Sequence, residues 1–419
     1  MNRVKTKRIL TSSLMIGLAL LTSCGKEEAF EAENLLDNIQ AQEVEEVKEL
    51  PNEFLQAQAN FSLDLFKELA EEENAVFSPV PVYYSLALIV NGADEAAQSE
   101  ILKSLALDDL SIEEVNSYYH ELIQRLESDT KDVELNLSNS IWYDQDFKAN
   151  EEFLETNKSY YEADSYRIDF SAASAPLAMN DWVSELTNGK IEEMVEEMNP
   201  EAVMYLFSTI YFDANWEMPF KGSDTYESEF LVEGEELQVE KMTGRFELET
   251  VETADEEGIV LPYKDDRYSF IALLPDKGID IRDYLSTLDE EKLLGLIQEV
   301  KKEEIDLMIP KFEVNYENVL NTPLQDLGIE SIFDSMANPL SLMGTADGNL
   351  YVSEIFQKTY LSLDEKGTEA ASAVGTEISE TSLPIETRII DFNRPFLYSI
   401  VEKETGLPVF IGIMDQPEE

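Results

Sequence analysis

Among 419 residues there is one cysteine, Cys24, and one histidine, His120. A single thiol closes no disulfide within the chain, and one thiol with one imidazole cannot complete a Cys/His zinc site. A Ser-His-Asp triad would have to be built on His120, and the sequence holds no G-x-S-x-G elbow. Bases are scarce too: 30 Lys and Arg stand against 88 Asp and Glu, a formal charge of −58. That balance argues against a nucleic-acid surface, which needs cations to neutralise phosphates. It also argues against adsorption to anionic lipid through charge. Paired-carboxylate hydrolysis passes these filters, although abundant acids are no evidence for a pair. What is present, 43% apolar and 10% aromatic residues over roughly three domain lengths, is enough for a large globular core.

The N-terminus reads as an address and an anchor. Arg3, Lys5, Lys7 and Arg8 precede a mostly apolar run, 9–21, whose 13 residues are too few to cross a bilayer comfortably. The run ends in Leu21-Thr22-Ser23-Cys24, which resembles a bacterial lipobox. Residues 1–23 are therefore expected to be a signal peptide and Cys24 the lipidated residue, tying the chain to a membrane by acylation. Gly25-Lys26-Glu27-Glu28 resembles a surface-export signal of some Gram-negative lipoproteins, or simply begins an acidic spacer. The expected location is the bacterial outer membrane, exposed at the cell surface. Residues 27–53 hold ten Asp/Glu, one Lys, one Pro and no Gly. They read as a self-repelling tether over 24–53, partly helical around Leu35, Leu36 and Ile39.

From Phe54 on, the pattern is that of a core. Phe61, Leu65, Phe66 and Leu69 share one helix face. Helical rhythm is predicted over 95–107, 111–128, 150–163, 175–191, 281–288 and 290–302. Strands are predicted over 133–145, 203–213, 226–232, 237–251, 257–263, 268–275, 305–317, 350–364, 386–392, 396–402 and 407–414. No repeat and no Pro/Gly/Ser-rich linker divides this body, so 54–419 is expected to be a single domain.

One segment stands out on its own chemistry. From Gly367, the even positions Thr368, Ala370, Ser372, Val374, Thr376 and Ile378 are small to medium and uncharged. The acids Glu369 and Glu377 fall on the odd positions, with Ala371 and Ala373, and Glu380 breaks the parity only near the far end. No proline occurs before Pro384, so every N–H in the run could join a ladder. A plain surface loop has no need of such parity. The pattern suits a segment able to be either a loop or an inserted strand.

Several motifs, in order, resemble the serpin family of serine protease inhibitors over about residues 54–417. They are Asn74-Ala-Val-Phe-Ser-Pro79, Asn180-Asp-Trp-Val-Ser-Glu-Leu-Thr-Asn-Gly-Lys-Ile191 and Ile210-Tyr-Phe-Asp-Ala-Asn-Trp-Glu-Met-Pro-Phe220. Leu261-Pro-Tyr263, Leu274-Pro-Asp276, Ile309-Pro-Lys-Phe312, Leu327-Gly-Ile329 and Leu350-Tyr-Val-Ser353 continue the series. Asp364-Glu-Lys-Gly-Thr-Glu-Ala-Ala-Ser-Ala373 and Asn393-Arg-Pro-Phe396 close it. The resemblance implies an α+β fold of three β-sheets and about nine helices, with an exposed reactive loop at about 366–385. It also implies a mechanism: a target protease cleaves the loop, becomes acyl-linked, and is distorted as the loop enters the large sheet. The hinge must then put small, uncharged side chains on the buried face, since a charge there would lose its hydration without a partner. Thr368, Ala370 and Ser372 satisfy this, which favours an inhibitor over a non-inhibitory serpin-fold surface-binding lipoprotein.

Counting from the hinge Gly367 places the scissile bond at Thr381–Ser382, with Glu380–Thr381 and Ser382–Leu383 as neighbours. A small β-branched Thr381 implies an elastase-like or subtilisin-like serine protease, with some cysteine proteases as a further class. By the same resemblance, Trp216, Lys311 and Glu365 control where insertion begins. Ser78, Asn180 and Gln357 would form a polar cluster under the sheet, Gln357 standing where the family usually has histidine and Pro81 where it commonly has serine. His120 is expected on a solvated helix face. Arg125 is the sole base in 111–128, so no polyanion cofactor is expected. The expectation is a monomer with no cofactor, no metal and no enzymatic activity.

Overall fold

Several helices begin where the sequence supplies a cap. In a computed structural model, residues 32–199, 202–232, 234–289, 292, 300–368 and 387–417 are described. The first helix, α1 (Asn52–Leu69), buries Phe54, Phe61, Leu65 and Phe66 along one side. Ser78 and Pro79 open α2 (Pro79–Val90), which is buried throughout. Proline at the first helical position gives up only an N–H that would be unpaired there. Asp94 caps α3 (Glu95–Ser104) through the N–H groups of Ala96 and Ala97. Ser111 and Glu114 form a reciprocal capping box on α4 (Ile112–Leu126). Asn150 caps α5 (Glu151–Thr156), which continues as a π-helical turn, 157–161. With α6 (Ala175–Leu186), α7 (Ile281–Ser286) and α8 (Asn321–Asp326) there are eight α-helices among the described residues.

The large sheet runs β1 (Glu33–Asn34), β6 (Asp164–Ile168), β4 (Val133–Asp144), β7 (Met204–Asn215), β16 (Gly367–Thr368), β15 (Phe356–Leu363), β13 (Phe312–Val319), with β3 (Ser128–Asp129) beside β4. A second sheet runs β17 (Arg388–Asp391), β12 (Lys301–Pro310), β9 (Glu235–Glu252), β10 (Glu256–Pro262), β11 (Tyr268–Pro275), β18 (Phe396–Glu402), β19 (Pro408–Met414), β2 (Val76–Phe77), with β8 (Thr225–Val232) beside β9. A third pairs β14 (Gly344–Thr345) with β5 (Lys148–Ala149). The large sheet is covered on both faces, and the alternation along β4 shows it. Ile141 and Tyr143 enter the main core with α2, whereas Trp142 enters a smaller one with Met179 and Val183 of α6.

The structure redraws several predicted elements. The strand expected over 305–317 is two strands in two sheets: β12 pairs with β9 and β17, and β13 pairs with β15. Pro310 lacks an N–H, and the crossing falls at Lys311, whose N–H turns to the Glu240 carbonyl (2.9 Å). Residues 350–355 are irregular, with Val352 N–H on the Ile332 carbonyl, so β15 begins only at Phe356. Of the helix expected over 290–302, residues 301 and 302 belong to β12 instead, and 290, 291 and 293–299 lie outside the described residues.

The larger difference is the predicted tether. Its described part, from Ala32 on, packs on the body, and 35–38 form a turn rather than a helix. Glu33 and Asn34 add to the outer edge of the large sheet opposite Arg167 and Tyr166. Lys158 Nζ donates to the carbonyls of Leu36 (2.6 Å) and Ile39 (2.7 Å). Gln42 N–H reaches Ser159 Oγ (2.8 Å), Arg125 reaches the Lys48 carbonyl (2.7 Å), and Leu36 and Leu50 are buried. Acid-rich composition hid this, because the anchoring uses main-chain carbonyls and a few leucines that composition does not weigh. Residues 1–23, Cys24 and the rest up to Glu31 lie outside the described residues. Lys158→Met should therefore loosen the strap by about 1.5–3 kcal/mol, the worth of hydrogen bonds from a charged donor. Hydrogen exchange over 36–42 should quicken while that of β4 and β7 stays unchanged.

Candidate functional site

Between β7 and β15 lies β16, described at Gly367 and Thr368. Gly367 pairs with Asn215, and Thr368 pairs with Ala214 on one side and Leu363 on the other, antiparallel to both. Since β16 is antiparallel to each neighbour, β7 and β15 run parallel to one another. β7 and β15 also come close to one another. Gly367 is required by space: a Cβ there would sit 1.8 Å from the Ala214 carbonyl oxygen. Thr368 is 1% exposed, and its Oγ1 lies 2.6 Å from the Tyr263 hydroxyl.

Trp216, at the end of β7, holds the approach to this strand. Its N–H donates to the Lys366 carbonyl (2.7 Å) and its Nε1 to the Asp364 carbonyl (2.9 Å). Its ring is wholly buried and stacks on Tyr263, centroids 4.4 Å apart and planes 13° apart. Asp364 Oδ1 accepts from the N–H groups of Lys366 (2.7 Å) and Gly367 (3.1 Å). Glu365 accepts from Thr225 Oγ1 (2.8 Å) and pairs with Lys311 Nζ (3.7 Å), while Phe220 N–H binds its carbonyl (2.8 Å). Burial opposes ionisation of Glu365, but its own N–H, Thr225 and Lys311 outweigh it and hold the carboxyl below the usual range. Trp216, Lys311 and Glu365 thus come together at the root of the loop.

The cluster under the sheet is assembled differently from its prediction. Ser78 and Gln357 are joined twice: Ser78 N–H donates to Gln357 Oε1 (2.9 Å), and Gln357 Nε2 donates to the Ser78 carbonyl (2.8 Å). Thr359 Oγ1 also donates to Gln357 Oε1 (3.1 Å), and Ser78 Oγ donates to the Val409 carbonyl (2.7 Å). Asn180 does not take part. Its side chain is used up on the loop after α6, on the Val195 carbonyl and the N–H groups of Met194 and Val195. The sequence missed Ser85 and Ser208, whose hydroxyls meet at 2.6 Å, and Asn318, which donates to the Val76 carbonyl (3.0 Å). Ser85 within the apolar helix α2 and Ser208 within the apolar strand β7 were the available signal.

His120 is half-buried rather than solvated. Its ring nitrogens lie 3.0 Å from the Tyr160 carbonyl and 2.8 Å from Gln124 Nε2. Among the described residues no three His, Cys, Asp or Glu side chains are grouped to hold a metal ion. The hinge positions Glu369, Ala370, Ala371, Ser372 and Ala373 and the bond Thr381–Ser382 lie outside the described residues.

This order of strands agrees with what the chain is similar to. The serpin family model (serine protease inhibitor) matches residues 56–417. The chain belongs to the serpin family. Alpha-1-antichymotrypsin of Homo sapiens is 31% identical over 375 residues, 87% of this chain and 88% of that protein. The thermophilic serpin tengpin in its native state superposes with a TM-score of 0.86 at 34% identity, covering 92% of this chain and 100% of tengpin. The latent state of tengpin superposes less well, at 0.78 and 32% identity, covering 88% and 100%.

Gly367→Ala should expel β16, so the exchange protection of Thr368 and of the Trp216 N–H should fall sharply. Unchanged protection would mean the sheet tolerates a side chain there. Glu365 is held below its ordinary pKa, so its contribution is present above that ordinary value and fades as pH falls through the lowered one. Glu365→Gln should therefore melt below wild type at pH 7, with the gap closing in paired thermal scans at progressively acidic pH.

Proposed function

We propose that the protein is a suicide-type inhibitor of serine endopeptidases that works by taking its cleaved loop into the large sheet. The observation that carries this reading is Gly367–Thr368, already laddered between β7 and β15 with its threonine side chain buried. The small, uncharged even positions that follow in sequence could continue that strand. The protease serine attacks the Thr381 carbonyl, the Thr381–Ser382 peptide bond breaks, and the Ser382 amine leaves with a proton. The acyl ester keeps the enzyme on Thr381. Extending β16 then replaces a parallel contact by two antiparallel ladders. At about 1 kcal/mol net per hydrogen bond, an insertion of some ten residues releases on the order of 10 kcal/mol. That is ample to drag the tethered enzyme before water clears the ester.

Thr381, small and β-branched, suits an elastase-like or subtilisin-like primary pocket, in serine proteases first and in some cysteine proteases second. The protein acts as a monomer and not as an enzyme. Lipidation at Cys24 after removal of 1–23 holds it to the bacterial outer membrane, facing the cell exterior. The strap from Ala32 to Leu50 shortens the expected tether to the residues that precede it.

A panel of elastase-, subtilisin- and trypsin-type enzymes should give SDS-stable complexes with the first two, and mass spectrometry should find a new N-terminus at Ser382. Complexes with the trypsin type alone would reject the pocket assignment. Thr368→Arg, which forces a charge into a site 1% exposed, should abolish the complex while cleavage at the same bond continues.

A further inference from the structure

Tyr263 belongs to a motif with no assigned role, yet its hydroxyl is aimed at the loop. It follows β10, where its N–H binds the Tyr268 carbonyl (3.1 Å). The ring is wholly buried and fixed from two sides, stacked on Trp216 and edge-on to Phe212 (5.2 Å, 81°). A hydroxyl on so immobile a ring has a fixed position, and it falls 2.6 Å from Thr368 Oγ1, with either able to donate. We propose that Tyr263 is the positioning residue of the hinge, its hydroxyl docking Thr368 and thereby fixing the register in which the loop starts into the sheet. This rests on the loop-insertion reading given above.

Register matters because side chains alternate with a period of two. With Thr368 on the Tyr263 side, the uncharged even positions follow it onto the same face. A slip of one residue would bring the Glu369 carboxylate to the buried hydroxyl. The opposite slip would bring Gly367 there, leaving Tyr263 without a partner and putting Lys366 in the place of Gly367, where a Cβ has no room against the Ala214 carbonyl. Both alternatives bury a polar group unpaired or clash with backbone. The pair of Gly367 and Thr368 is thus read twice, by the absence of space at one position and by a hydroxyl at the next. The chemistry selects Thr or Ser at 368.

The test is a double-mutant cycle on the full chain, read by hydrogen exchange over 364–368. Tyr263→Phe keeps the ring stack and removes the hydroxyl; Thr368→Val keeps the shape and removes the other. Each alone strands a buried hydroxyl and should speed exchange about tenfold. Together they leave no orphan, and exchange should return to within about threefold of wild type. Thr368→Ser should keep wild-type protection. Should Tyr263→Phe melt the whole chain, Thr368→Val with Thr368→Ser decides alone, since neither touches the ring stack. Unchanged exchange in both single variants, or effects that multiply in the double, would overturn the proposal. Its fate is separate from that of the inhibitory reading. If no protease forms a complex but the cycle shows coupling, docking stands and inhibition falls. If complexes form and coupling is absent, docking alone is wrong.

Discussion

Two long strands, β7 and β15, run parallel, and Gly367 and Thr368 form a strand antiparallel to both between them. On the proposed inhibitory reading, extending β16 would give both neighbours antiparallel ladders. The chain on the far side of residues 369–386 is anchored elsewhere. Residues from Arg388 on are committed as β17 in the second sheet. Arg388 meets Glu303 (2.9 Å), Glu252 (3.1 Å) and Glu257 (3.2 Å), and Asp391 meets the fully buried Lys241 (2.6 Å). Burial pulls the Lys241 amine down in pKa, and Asp391 opposes that pull. On the proposed reading, this second anchor limits how far β16 can lengthen while the chain is intact, and cleavage would release it.

With so few bases, their placement shows what has to be held. Lys158 holds the N-terminal strap, Lys311 the acidic residue beside the loop root, and Lys241 and Arg388 the loop exit. Arg282 clasps Asp415 through two bonds of 2.9 Å, closing the C-terminal end against the Asn74 turn. Elsewhere acids face acids: Glu227 stands opposite Glu240, and Glu247 opposite Glu304, across neighbouring strands. Such pairs weaken a sheet slightly and are tolerated where water reaches them. The excess of acids behind the charge of −58 is tolerated where such strands meet water, while several of the cations sit at these joints.

Much of this was legible beforehand, for reasons that differ by residue. The strands at 268–275 and 396–402 could be read to the residue because they lie inside a sheet and are bounded by turn-forming residues. Trp216, Lys311 and Glu365 were singled out by their motifs, and the structure brings them together beside Gly367. Asn180 was misplaced because a motif shows that a residue is used, and not what it touches. The change of sheet at Lys311 and the strap over 32–50 were invisible, since both depend on main-chain partners far off in sequence. Tyr263 was hidden in another way: an aromatic next to a strand reads as packing until its hydroxyl is seen to have an address.

Trp216 has a further consequence. It is one of three tryptophans, and the other two, Trp142 and Trp182, belong to the smaller core around α6. Its indole lies flat on Tyr263 and donates to the main chain three residues before Gly367. Any shift of the loop root changes both the stacking and the hydrogen bond on the same ring. The molecule therefore carries an intrinsic optical gauge of its own conformational state, set at the point where the two sheets and the loop converge.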